Sequence, residues 1–330
     1  MEKMRLTYVD HLRLISIFAV VVLHTAAIHW SEVPVLSQSW RAVNFYDSIC
    51  RFCVPVLIMI SGLLFLNPTQ KITYSKLFGR SVPRLMVAYF AGTACYQFLF
   101  PSPNTDFFHQ QYHFWFLPLL AALYLLTPIL RKLTMRGAFF SQLIWMLCFC
   151  FVLAFPAYRE IPELKKAASF LASLHLPELI GYCGYFVLGY SLSQQSFSPN
   201  TRVCICITGL LGTTLTVFLT HLASEYQALA STVFYSNFSP NVMAASVAVF
   251  VLVKNKSVGK TGSKLLVSSA DCCFGIYFIH DLILRLFHSA GLFSFIPLPL
   301  SIPLESASIF LICYLIVFFF KKLARLFHQF

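Results

Sequence analysis

The chain has 330 residues, 58% of them hydrophobic and only 11% charged, with 35 Phe and a formal charge of +12. A soluble domain of that length needs far more surface charge, so the composition excludes one and predicts an all-α polytopic membrane protein. The basic excess falls at the ends of apolar runs, where it reads as membrane topology rather than as a nucleic-acid surface.

Taken in order, the apolar runs lie at roughly 13–31, 50–67, 84–100, 114–130, 138–156, 178–193, 203–222, 240–254, 266–288 and 306–321. They predict one domain over 1–330, a single bundle of about ten transmembrane helices. The first run lacks a small-x-small cleavage site and reads as a retained helix rather than a signal peptide. An even number of crossings puts both termini on one side, and charge says which. Of the 24 Lys and Arg, only Arg41, Arg51, Arg159, Lys165, Lys166 and Arg285 fall on the opposite half, whereas Glu32, Asp47, Asp106, Glu160, Glu163, Glu178, Glu225 and Glu305 lean outward. Both termini are therefore expected to be cytoplasmic.

The first run, RLISIFAVVVLHTAAIH at 13–29, carries the sharpest signal. Arg13 and His24 are eleven residues apart, which returns them to within about 20° of one helix face and separates them by roughly 16 Å along it. A permanent cation thus stands near one membrane surface and a proton-transfer group near mid-depth. The plainer alternative is a snorkelling arginine and a packed histidine.

Further polar groups at membrane depth are Asp10, Arg51, Ser61, His113, Asp271, Tyr277, His280, Asp281 and Arg285. Facing lipid would be expensive for several of them, so they are expected to line one polar cavity, or else to pair and fix helix packing. Tyr277 and His280 share a face, whereas Asp271 lies about 180° from His280 unless Gly275 kinks the helix. The inner loop 71–84 places Lys71, Lys76, Arg80 and Arg84 four to five residues apart, a basic ridge suited to anionic lipid headgroups or a donor's phosphates. His113-Phe-Trp115-Phe-Leu is an aromatic interface anchor. Sequons stand at Asn237 and, on the inner side, at Asn255-Lys-Ser257. The 11 cysteines lie mostly in apolar runs, and the one CxxC, Cys50 and Cys53, has no second thiolate pair at zinc spacing.

These landmarks resemble the integral-membrane acyltransferase 3 family. The resemblance is carried by Asp10-His-Leu-Arg13 running into Val20-Val-Val-Leu-His24, then Arg51-Phe-Cys-Val-Pro55 and Met59-Ile-Ser61-Gly62. After the Arg80/Arg84 loop come His113-Phe-Trp115-Phe-Leu, Tyr124-Leu-Leu-Thr-Pro128 and Gly275-Ile-Tyr277-Phe-Ile-His280. Leu14 and Ser16 depart from the small residues common in the first motif, and 137–265 adds little. Within the family the chain looks most like short bacterial inner-membrane enzymes that O-acetylate cell-envelope polysaccharide, of the enterobacterial common antigen type.

The resemblance implies transfer of an acetyl or other short acyl group from cytosolic acyl-CoA, acetyl-CoA above all, to a hydroxyl of a lipid-linked or periplasmic glycan. Asp10, Arg13, His24 and His280 are then the catalytic candidates, with His24 as general base. Arg51, Ser61, Arg80, Arg84, His113, Trp115, Asp271 and Tyr277 are candidates for holding donor or acceptor. A thioester is already activated, so no metal is expected. The competing reading is a transporter or glycan translocase, which a polar membrane cavity also serves.

Overall fold

A computed structural model describes residues 5–69, 73–100, 113–256 and 263–327. Lys3, Lys71, Asp106, Lys260, Ser257 and the outer loop 101–112 lie outside the described residues. In chain order the helices are α1 Thr7–Ala27, α2 Gln38–Cys50, α3 Cys53–Leu66, α4 Tyr74–Lys76, α5 Val82–Leu99, α6 Phe116–Thr134 and α7 Ala138–Tyr158. They continue as α8 Pro162–Ser173, α9 Leu176–Gln194, α10 Pro199–Gln227, α11 Pro240–Lys256, α12 Lys264–Ser289 and α13 Leu298–Phe327. A π-helical turn, Leu77–Ser81, leads into α5, and a 3-10 turn, Val233–Tyr235, precedes α11. Among the described residues there is no strand, as lipid requires of anything but a closed barrel.

Local chemistry sets several of the boundaries. The hydroxyls of Ser37, Ser198 and Ser263 accept from the backbone N–H of Trp40, Thr201 and Leu266 at 3.1 to 3.2 Å, capping α2, α10 and α12. Pro199 follows its cap at the first helical position, where no N–H is needed.

Each predicted span falls on a helix. Eight stretches of the described residues are long and apolar enough to cross a membrane, or nine if α8 and α9, bent by 67°, form one span. The expected helical bundle of about ten spans is thus seen in kind; α5 is not among these stretches, and Arg84 and Gln97 dilute it. Helices α2 and α3 count together as one such stretch of 29 residues, whose apolar part is α3. Only 17% of the most apolar part of α7 and 22% of that of α10 is buried, which leaves their outer faces to lipid.

The chain divides into two compact units, residues 1–57 with 197–330, and residues 58–196. In the first, α1 packs on α2, α11, α12 and α13, and α10 lies against α11 and α2. Ala19, Val20, Val22, Ala26, Val43, Cys50, Cys53 and Ile302 form a buried cluster around it. The N-terminal side of α1 and the C-terminal part of α13 lie at the same end, since Arg5 and Lys321 both bond Asp271.

In the second unit α7 packs on α9, and α6 packs on α5 and α9. Helices α3 and α9 touch backbone to backbone: a Cβ on Gly62 would overlap the Phe186 carbonyl, and one on Gly189 the Met59 carbonyl. Two backbones cannot yield as a side-chain tip does. Gly62→Ala is therefore expected to cost about 1–3 kcal/mol or more by overpacking, read as a lower unfolding temperature in detergent; an unchanged temperature would contradict the contact.

Candidate active site

In the first unit the candidate residues of α1 and α12 fall into two polar layers. The first layer is ionic. Asp10, in the first turn of α1 with its side chain only 2% exposed, accepts from Arg5 Nε at 2.6 Å and Arg5 Nη2 at 3.0 Å. The same Nη2 donates to Asp271 Oδ1 at 2.8 Å, and Lys321 Nζ donates to the Asp271 carbonyl. Arg13 Nη1 stands 3.7 Å from Asp10 Oδ1 and is one-third exposed. Hydrogen bonding to Asp10 raises the Arg5 guanidinium above its ordinary range, against the opposing effect of burial. Arg5, Arg13 and Lys321 face two carboxylates, so this end keeps an excess of positive charge.

Arg5 is the residue sequence reasoning missed. It precedes the helix, and its partner Asp271 is 266 residues away, so no periodicity marks it.

The second layer is aromatic and lies about 13 Å further along α12, nine residues on from Asp271 at ~1.5 Å each. His24 and His280 meet edge to face, ring centroids 5.0 Å apart at 85°, with His24 9% and His280 0% exposed. At that distance the rings touch each other. His24 sits in the last turn of α1. His280 Nδ1 lies 2.7 Å from the Tyr277 carbonyl. A carbonyl only accepts, so Nδ1 carries the proton and, in the neutral ring, Nε2 carries the lone pair. The Tyr277 ring is 6.0 Å from that of His280, and its side chain is buried.

Helix α12 is unbroken from Lys264 to Ser289, so Asp271 stays on the far face from His280. Gly275 faces Val317 side-chain atoms of α13, and its smallness serves that contact rather than a kink. One residue past His280, the buried Asp281 accepts from Arg285 Nε at 2.7 Å.

Arg51 is placed elsewhere in this unit. Its Nη2 donates to Asp47 Oδ2 at 2.7 Å, its Nε lies 2.5 Å from Oδ1, and its guanidinium stands 4.0 Å above the Tyr235 ring. Tyr235 in turn donates to Asn44 Oδ1 at 2.6 Å. Asp47 is 2% exposed, so its charge depends on Arg51. Arg51→Met is expected to destabilise by about 3–5 kcal/mol, and Asp47→Leu with Arg51→Met to recover most of that. Thermal unfolding of the single and double variants checks it; equal loss in both would deny the coupling.

The remaining candidates belong to the second unit. Ser61 is half-buried on α3 beside Gly62. Arg80 in the π-helical turn and Arg84 in the first turn of α5 are exposed, as a surface ridge requires. His113 is buried, 4.1 Å from Phe114 and 5.2 Å from Tyr96 between ring centroids. Trp115 packs at 5.7 Å on Tyr182 and remains 40% exposed.

Two cavities are lined by none of the predicted residues. One of about 460 Å³ lies between α10 and α11 beside Arg202, Asn255 and Lys256, and one of about 340 Å³ lies by Thr134, Ser141 and Tyr190.

Compared with known proteins, residues 6–320 match the model of a family described as an acyltransferase domain. No curated protein and no solved structure gives a match.

Proposed function

The chain belongs to the acyltransferase domain family whose model covers its residues 6–320, and from that membership of a membrane-bound enzyme family we propose that it carries an acetyl or other short acyl group from cytosolic acyl-CoA to a hydroxyl of a lipid-linked or periplasmic cell-envelope sugar. The acceptor class follows the short bacterial O-acetyltransferases that the sequence resembles. The proposed setting is the bacterial inner membrane with both termini in the cytoplasm, supported by the basic excess at the end where α1 begins and α13 finishes.

The contact between His24 and His280 carries the proposal. It puts a buried imidazole pair between α12 and α1, the helix whose opening end bears surplus positive charge. In this reading Arg13 draws in the phosphates of the donor, and its guanidinium suits them better than a lysine would. From Arg13 to His24 is roughly 16 Å along α1, eleven residues at ~1.5 Å each, a length of the order of an extended pantetheine arm.

At the imidazole layer His24 takes the proton of the sugar hydroxyl as the oxygen attacks the thioester carbonyl. The tetrahedral intermediate collapses to the ester, the carbon–sulfur bond breaks, and the imidazolium returns its proton to the departing thiolate. His280, its tautomer set by the Tyr277 carbonyl, fixes the His24 ring edge to face. Tyr277 offers a hydroxyl to the developing oxyanion.

The test is donor-dependent ester formation. Purified chain with radiolabelled acetyl-CoA and extracted envelope glycans is expected to place label in a base-labile ester on the glycan. Glycan passage across proteoliposomes without any ester would instead favour the translocase.

A further inference from the structure

Beyond the imidazole pair, at the opposite end of α1 and α12 from the ionic layer, a third polar group gathers that the reaction above does not use. His29 and Glu32 lie in the turns that prolong α1, and His288 in the last turn of α12. We propose that His29, Glu32 and His288 form a binding site for one divalent transition-metal ion of the zinc type, fastening the outer end of α1 to α12.

The donor set is the first reason. Two imidazoles and a carboxylate suit zinc, nickel or cobalt; magnesium and calcium prefer oxygen alone, and copper(I) prefers sulfur. The geometry is the second. One ligand atom from each residue can be chosen so that all lie within 4.8 Å of one another. His29 Nδ1 is 2.7 Å from Glu32 Oε2, and His288 Nε2 is 3.1 Å from Glu32 Oε1. A tetrahedral ion with bonds of ~2.0 Å needs ligand atoms about 3.3 Å apart. Small side-chain rotations therefore convert the arrangement into a coordination shell.

The backbone supporting it is ordered. His29 N donates to the Ala26 carbonyl at 3.1 Å and Glu32 N to the His29 carbonyl at 3.2 Å, which presents the two side chains i, i+3 on one face. Helices α1 and α12 are direct neighbours, so His288 meets them without any loop having to close.

Access fits an exchangeable ion. The side chains of His29, Glu32 and His288 are 17%, 40% and 39% exposed, leaving room for solvent to complete the shell. His288 is eight residues, or about 12 Å, beyond His280 on α12. An ion there does not polarise a thioester held at the imidazole pair, and the proposal stands apart from the acyl-transfer reading.

The full-length chain, purified without a histidine tag and stripped with chelator, is titrated with Co²⁺. The expected result is one saturable equivalent whose ligand-field band lacks thiolate charge transfer. His29→Ala and His288→Ala each weaken it on the order of 100-fold, and Glu32→Gln by about ten-fold. Without metal the variants unfold near the temperature of the unaltered protein, and Zn²⁺ raises that temperature only in the latter. Absence of a saturable site, an unchanged titration in both histidine variants, or a thiolate band placing the ion on cysteines would each overturn the proposal; the first would leave His29, Glu32 and His288 as a hydrogen-bonded cluster only.

Discussion

Replacing His24 with Ala is expected to abolish acyl transfer while the chain still inserts in the membrane. General acid–base catalysis by a positioned side chain is worth typically about 10²–10⁴-fold, and the variant is expected to lose at least that in kcat. Truncation also opens a hole against His280, so a second variant separates chemistry from packing. His24→Gln fills most of the volume and keeps hydrogen-bonding capacity, yet its amide cannot take a proton at neutral pH. Both variants are expected to be equally inactive, with unchanged amounts in the membrane fraction. Undiminished turnover in either would remove the assignment of His24.

The second large effect falls on His280. Its ring is fully buried, its Nδ1 is committed to the Tyr277 carbonyl, and its contact is with His24. It is therefore assigned as a positioning residue. Loss of its ring lets the His24 ring rotate, and misplacement by about 1 Å can cost ~10²-fold. His280→Ala is expected to lower kcat by about that factor and leave KM for the donor unchanged, because the ionic layer lies well away. His280→Phe, which restores a ring of similar breadth, should recover part of the rate. A phenylalanine variant as inactive as the alanine one would show that His280 itself moves a proton.

The distribution of what the sequence disclosed follows from the range of each interaction. Helix periodicity is local, so the alignment of Arg13 with His24, the shared face of Tyr277 and His280, and the opposite placement of Asp271 could all be computed from 100° per residue. The contact of α1 with α12 joins residues 256 positions apart, and nothing in either segment announces its partner. Arg5 was legible only as a topological charge for the same reason.

Hydropathy did not announce α2, because Arg41, Asn44, Asp47, Ser48 and Arg51 make it look like a loop. In the folded unit several of these satisfy one another: Ser48 donates to Asn44 Oδ1 at 3.1 Å, Asn44 donates to the Val217 carbonyl at 3.0 Å, and Arg51 pairs with Asp47. Polar groups with internal partners can stay in an apolar bundle, which a residue-by-residue scale does not see. The glycines of α3 and α9 were visible as residues, but their function, close approach of two backbones, exists only once the helices pair.

The most direct trial of the account exploits its polarity, with donor entering at the Arg13 end and ester forming toward the His24 end. Sealed proteoliposomes of known orientation, marked by access to a C-terminal tag, are given labelled acetyl-CoA on one face and acceptor glycan on the other. Label is expected in glycan ester only when acetyl-CoA is on the face that exposes the C-terminus. Ester formed just as fast with donor confined to the other face would contradict the path from Arg13 to His24.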